Sequence, residues 1–316
     1  MNEVRKMGTE GSGRLNDDAN ENMAYSFKTI FKLEKSDETA KQKVLTAFNT
    51  IAAMTKTDGW EASDVRFYCD DDNMEGENAR WKRAPGNANK RKPFERQVWA
   101  DKPNQMSRRI GSKGCQDENE DGEKFTLAQT YQIRVDPDPL KDTHNPERET
   151  ITLCDDGLNF DGGIEKLLSD FKEDDKKVVL LPFLNFDALL SVTVFHELCH
   201  LTKVINAPGT KPGGAAELYG WEQVLASTAA EAIDSADAFA WLGMLALTET
   251  RNMRLARPDS QDETEKKRAK QDGGGLVWID PSKAPQRKAK RAPGMSGAYF
   301  NQLTNLRIGG KRMVKF

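Results

Sequence analysis

The chain has 316 residues, 37% hydrophobic and 31% charged, enough apolar material for a real core but only beside long polar stretches that cannot pack. Its 47 Lys and Arg against 50 Asp and Glu leave a formal charge of -3, so no global field recruits nucleic acid or an anionic membrane surface, and neither is expected as a partner. No apolar run approaches the roughly 18 residues of a membrane helix, and the polar opening from Met1 to Asn22 lacks the apolar centre of a signal peptide.

Residues 1–22, rich in Gly, Asn, Asp and Glu, show no apolar period and read as a disordered leader. From Tyr25 to Met54 the residues Phe27, Ile30, Phe31, Leu33, Val44, Leu45, Phe48, Ile51 and Ala52 recur at three- and four-residue steps, predicting one or two amphipathic helices over a sheet. Asp64 to Cys69 reads as a strand. After it, Asp70-Asp71-Asp72 opens a polar tract through Arg80-Trp81-Lys82-Arg83 and Lys90-Arg91-Lys92, which reads as a charged loop rather than a basic binding patch. Shorter strands are expected at Gln97 to Ala100, Gln132 to Val135 and Thr150 to Cys154, with Pro137, Pro139 and Pro146 punctuating the loops between them.

Val178 to Leu181, stopped by Pro182, is a further short strand leading into a helix from about Asp187 to Val204. Leu189, Leu190, Val192, Val194, Phe195, Leu198, Leu201 and Val204 make that helix apolar on most sides. A second long helix, rich in Ala and Leu, is expected from about Trp221 to Thr250. Beyond Arg251 the composition turns to Lys, Arg, Gln, Pro and Gly apart from Leu276-Val277-Trp278-Ile279, and residues 251–316 read as a basic, largely irregular tail. Four cysteines are too few to scaffold a chain of this size; Cys69 and Cys154 each end a β-like run, so a bridge between neighbouring strands is conceivable there. No Asn-x-Ser/Thr sequon occurs, and compartment stays open.

The chemistry lies in Phe195-His196-Glu197-Leu198-Cys199-His200-Leu201. Residues four apart on a helix share a face one turn apart, so the imidazoles of His196 and His200 can hold one Zn²⁺. Glu197 is placed to take the proton of water activated by that metal, the combination that peptide hydrolysis needs. Two of the three histidines in the chain fall in this pattern; the third, His144, sits in a turn and reads as a surface residue. Cys199 points away from the metal face and reads as a packed core residue rather than a nucleophile or ligand. A catalytic zinc takes three protein ligands, so a carboxylate is expected as the third. Glu217, after the flexible Gly213-Gly214 pair, is the first choice; Asp234, Asp237 and Glu231 are the alternatives.

Together these residues resemble the deuterolysin-like peptidases, or aspzincins, and especially their fungal lysine-specific metallo-endopeptidase relatives. Ile151-Thr152-Leu153-Cys154, the HExxH helix, the Tyr219-Gly220-Trp221 turn and Ser235-Ala236-Asp237-Ala238-Phe239-Ala240 carry the resemblance, over about residues 150 to 245. It implies an α+β, zincin-like fold over residues 23–250, with a small sheet above the HExxH helix, a second packed helix, and a cleft where an extended peptide pairs with a sheet edge. It further implies that Tyr219 donates to the developing oxyanion and that Asp237 orients a ligand histidine. The family is usually secreted. The family's aspartate ligand would fall at Ala216, so either Glu217 takes over the ligation or the metal site is incomplete. The expected function is zinc-dependent endoproteolysis of a peptide or protein substrate. Its alternative is a catalytically inactive zincin fold serving as a binding or effector protein.

Overall fold

Three helices are built from the first part of the chain: α1 (Asn2–Asn16), α2 (Glu21–Phe31) and α3 (Glu38–Ala52). The Asn20 and Asp37 side chains cap α2 and α3 by accepting from the backbone N–H groups of Met23 and Ala40, which would otherwise lack helical partners. The computed structural model describes residues 1–56, 63–69, 82–83, 98–101, 106–109, 115, 126–131, 149–154, 181–182, 189–209, 217–270 and 274–279.

Helix α1 corrects the expectation of a disordered leader over residues 1–22. It buries Val4, Met7 and Leu15 in the main core, and Gly8 and Gly11 are buried on the same side. A Cβ at Gly11 would lie 2.1 Å from the Phe48 ring, and one at Gly8 only 2.7 Å from the Phe48 carbonyl. The stripe at positions 4, 7, 8, 11 and 15 has helical spacing, but two of its members are glycines that serve close approach, so hydrophobicity alone does not show it.

Nine short strands occur among the described residues: β1 (Arg66–Cys69), β2 (Lys82–Arg83), β3 (Val98–Asp101), β4 (Met106–Arg109), β5 (Ala128–Tyr131), β6 (Thr150–Leu153), β7 (Leu181–Pro182), β8 (Met253–Leu255) and β9 (Gly275–Trp278). They form three sheets of order β1-β6-β5, β2-β3-β4 and β7-β9-β8. In the first, β6 runs parallel to β1 and antiparallel to β5, with Ile151 opposite both Phe67 and Thr130. The strand expected at Gln132 to Val135 lies outside the described residues, as do residues 178–180; β5 is a separate strand, not among those expected.

The remaining helices among the described residues are α4 (Leu190–His200), α5 (Gly220–Ala226), α6 (Ala229–Ala232), α7 (Ala236–Glu249) and α8 (Glu263–Lys270). Every residue of α7 from Ala236 to Thr248 is buried, and α7 lies against α1, α2, α4 and α5. The single long helix expected over Trp221 to Thr250 is thus three helices. Thr228 caps α6 in a reciprocal capping box with Glu231 and marks the first break, while Ser235 stands at the start of α7 without a side-chain capping bond.

The expected irregular tail is also corrected up to residue 279. There β8 pairs with β9, and the half-exposed α8 is tied back by Glu265, which accepts from Arg254, from the Arg257 backbone N–H and from Ser260. Residues 280–316, including Arg287 to Arg291, lie outside the described residues, as do His144 and most of the basic tract from Arg80 to Lys92. Cys154 is bonded to Cys115 rather than to Cys69, which stands opposite Leu153 in the parallel β1–β6 pair. Among the described residues no helix is long and apolar enough to cross a membrane. The architecture is mixed α and β, with small sheets beside a helical core.

Candidate metal centre

Helix α4 is placed by its apolar back. Phe195, Leu198 and Cys199 are fully buried, and the Phe195 ring meets Phe48 of α3 edge to face, with centroids 5.5 Å apart. Gly243 of α7 faces the same ring; a Cβ there would stand 3.4 Å from it, in ordinary van der Waals contact. Held from behind, α4 presents His196, Glu197 and His200 on the sides left for polar groups, all three buried.

Each of the three is gripped by a different part of the fold. The Nδ1 of His196 lies 2.5 Å from Asp237 Oδ1 in the first turn of α7; a carboxylate only accepts, so the ring's hydrogen sits on Nδ1 and Nε2 points into the site. His200 donates from Nδ1 to the Ala207 carbonyl at 2.9 Å. That carbonyl is in reach because α4 ends at His200 and Asn206 takes the left-handed conformation, φ 51°, which asparagine tolerates better than most residues. The chain then folds back, and the Ala207 N–H satisfies the Cys199 carbonyl at the helix end. Glu197 is gripped by Thr130 of β5, whose Oγ1 is 2.5 Å from Oε2 and 2.9 Å from the Glu197 carbonyl oxygen.

The Nε2 atoms of His196 and His200 converge to 3.0 Å. Glu217 reaches them from the segment before α5: its Oε2 is 3.4 Å from His200 Nε2 and 3.9 Å from His196 Nε2. Two devices bring it there. Trp221, buried against Trp241 of α7 with centroids 5.2 Å apart, anchors the first turn of α5. Gly220 turns the chain with φ 75°, a conformation that disfavours side chains, and gives its N–H to Asp237 Oδ2. Asp237 thus holds both a histidine and the loop that carries Glu217. Tyr219 stacks on His196 at 5.7 Å and donates from its hydroxyl to Glu217 Oε2 at 3.2 Å.

Burial opposes charge on His196, yet the carboxylates of Glu217, Asp237 and Glu197 outweigh it and push its pKa up to about 10. Burial, reinforced by the charged His196, pulls His200 down to about 3. The directions agree with one proton bridging the two Nε2 atoms, carried by His196 and accepted by His200. Burial raises Glu217 to about 7 despite the attraction of His196, and raises Glu197 despite His196 and the hydrogen bonds from Thr130. Tyr219 is pushed up, first by burial and then by Glu217, so its hydroxyl keeps its proton.

His196, His200 and Glu217 form a buried group whose donor atoms all lie within 4.8 Å of one another, and such a group can hold a metal ion. The second carboxylate oxygen of Glu217, Oε1, is buried without a hydrogen-bond partner, a costly state that a cation would relieve. The other carboxylates weighed as the third ligand lie elsewhere. Asp234 is exposed and paired with Lys43, Glu231 is used in the α6 cap, and Asp237 faces the Nδ1 side of His196, away from its Nε2. Cys199 is buried among apolar neighbours, with its thiol pKa raised well above the usual value by burial. Thr130 and the Ala207 carbonyl were not readable as site groups; the one signal for Thr130 was its place in a β-favouring stretch, Ala128 to Tyr131, next to the predicted strand. No protein-family model matches the sequence, and no curated protein is significantly similar to it.

Proposed function

We propose that the protein is a zinc-dependent endopeptidase with a zincin-like site, in which His196, His200 and Glu217 hold the metal. The observation that carries this reading is the convergence of two imidazole Nε2 atoms and a buried carboxylate, with a second buried carboxylate on the residue next to the first histidine. Two nitrogens and one oxygen suit Zn²⁺, and three protein ligands are what a catalytic rather than a structural zinc takes. A zinc ion bound there supplies Lewis acidity toward a peptide carbonyl and lowers the pKa of water.

The chain's own residues do the rest. Glu197 accepts the proton of the attacking water and returns it to the leaving amine; its raised pKa moves it toward the working pH, where a general base transfers protons best. Tyr219, kept protonated by its surroundings, donates to the oxyanion as charge develops on the carbonyl oxygen. Asp237 and the Ala207 carbonyl keep both Nδ1 atoms hydrogen-bonded, so Nε2 is the nitrogen offered to the metal. The Cys115–Cys154 bridge fits a compartment outside the reducing cytosol.

One observation favours a second reading. The network closes on itself, His196 to His200 and Tyr219 to Glu217, and a scaffold that has lost its metal would keep such pairs. Metal analysis and hydrolysis of an unstructured protein substrate separate the two. The peptidase reading expects one zinc per chain and cleavage that falls by about 10²-fold to 10⁴-fold in Glu197→Gln with zinc retained. A folded chain that takes up no zinc would mark a binding or effector protein, and full activity in Glu197→Gln would remove Glu197 as the base.

A further inference from the structure

His196, Glu197 and His200 are each held by a different part of the fold, and both bonds to Glu197 come from one side chain. Thr130 sits on β5, which among the described residues pairs only with β6. Its Oγ1 is 2.5 Å from Glu197 Oε2 and 2.9 Å from the carbonyl oxygen of the same residue. That carbonyl lies in the last turn of α4, where Leu201, its partner in a longer helix, gives its N–H to Leu198 instead. One side chain therefore meets Glu197 at both ends, at the backbone and at the carboxylate.

We infer that Thr130 is the positioning residue for Glu197, fixing its carboxylate beside the two histidines. The inference rests on the peptidase reading for its catalytic meaning. A glutamate side chain has three rotatable torsions, whose freedom is lost when it is held. With both its termini bound to one threonine, those torsions are set before substrate arrives. A hydroxyl has one hydrogen, so Thr130 donates to one of these two oxygens at a time while staying within hydrogen-bonding distance of the other.

Two substitutions separate this role from a purely structural one. Thr130→Val keeps the shape, the β-branching and the backbone N–H but removes the hydroxyl; Thr130→Ser keeps the hydroxyl. With the full chain loaded with zinc, Thr130→Val is expected to lower kcat by about 10- to 100-fold, the scale of a misplaced reacting group, with KM and zinc content near those of the parent. Thr130→Ser should restore most of kcat. Crystals of the zinc-loaded variants supply a readout independent of activity: the Glu197 carboxylate should leave its position in the valine variant and keep it in the serine variant. An unchanged kcat or an unmoved carboxylate in Thr130→Val overturns the inference, and so does a rise in KM alone or a loss of zinc in both variants. Should the parent bind zinc but cleave nothing, the peptidase reading falls. The crystals alone then decide whether Thr130 holds Glu197.

Discussion

The two sides of α4 are built on different principles. Its back, Phe195, Leu198 and Cys199 against α1, α3 and α7, is apolar and is specified by shape: an edge-to-face ring pair with Phe48 and close packing of the Phe195 ring on Gly243. Its front, His196, Glu197 and His200, is polar, and there each group is specified by one partner: Asp237 from α7, Thr130 from β5 and the Ala207 carbonyl after the helix. The back spreads its stabilisation over many weak contacts, while the front concentrates it in a few directional bonds inside a low-dielectric interior. Damage to the back should therefore cost stability alone, whereas damage to the front should change the chemistry of the site as well.

The largest expected break of this contrast is on the apolar side. Phe195→Ala deletes a fully buried ring between Phe48 and Gly243 and should cost about 3–5 kcal/mol of unfolding free energy. Denaturant titration checks it; a loss under 1 kcal/mol would mean that the back collapses around the gap and is not specified by shape.

Next in size is a change on the polar side. Asp237→Asn removes the charge facing His196 Nδ1 while keeping the side chain's volume, and zinc affinity should fall roughly 10- to 100-fold. Competition with a chelator of known affinity measures this. An affinity within twofold of the parent would show that the ring is oriented by stacking on Tyr219 rather than by Asp237.

The smallest effect per step sharpens the electrostatic side of the comparison. Before zinc binds, His196 holds a proton up to about pH 10 and Glu217 up to about pH 7, whereas His200 is neutral above about pH 3. Zinc must displace the His196 proton below pH 10, so apparent affinity should rise by about tenfold per pH unit between 7 and 10. Below pH 7 the Glu217 proton must leave as well, and the slope should steepen toward two protons per zinc. Calorimetry in buffers of differing ionisation enthalpy counts the protons released; a pH-independent affinity would show that no proton bridges the two histidines.

Much of this contrast was visible along the chain, but unevenly. Helical periodicity from Leu189 to Val204 predicts an apolar helix, and a four-residue interval puts His196 and His200 on one face, because both depend only on the geometry of consecutive residues. Local signals also mark β1 and β6. Helix α1 escaped because its packing face uses Gly8 and Gly11, whose value is the space they leave. The breaks before α6 and α7 escaped because Ala and Leu propensity over Trp221 to Thr250 outweighed the single hydroxyl cap at Thr228.

Sequence alone determined which residue types could carry the chemistry and the helical turn that presents them, since a side chain's direction on a helix follows from its own neighbours. Tertiary structure alone decided which carboxylate meets the imidazoles, which oxygen holds which nitrogen, and that Cys154 bonds to Cys115. Those pairings join residues as far apart as Thr130 and Glu197, separated by 67 positions, and His196 and Asp237, separated by 41. They are set by how α7, β5 and the Trp221 anchor pack around α4, which no local pattern records.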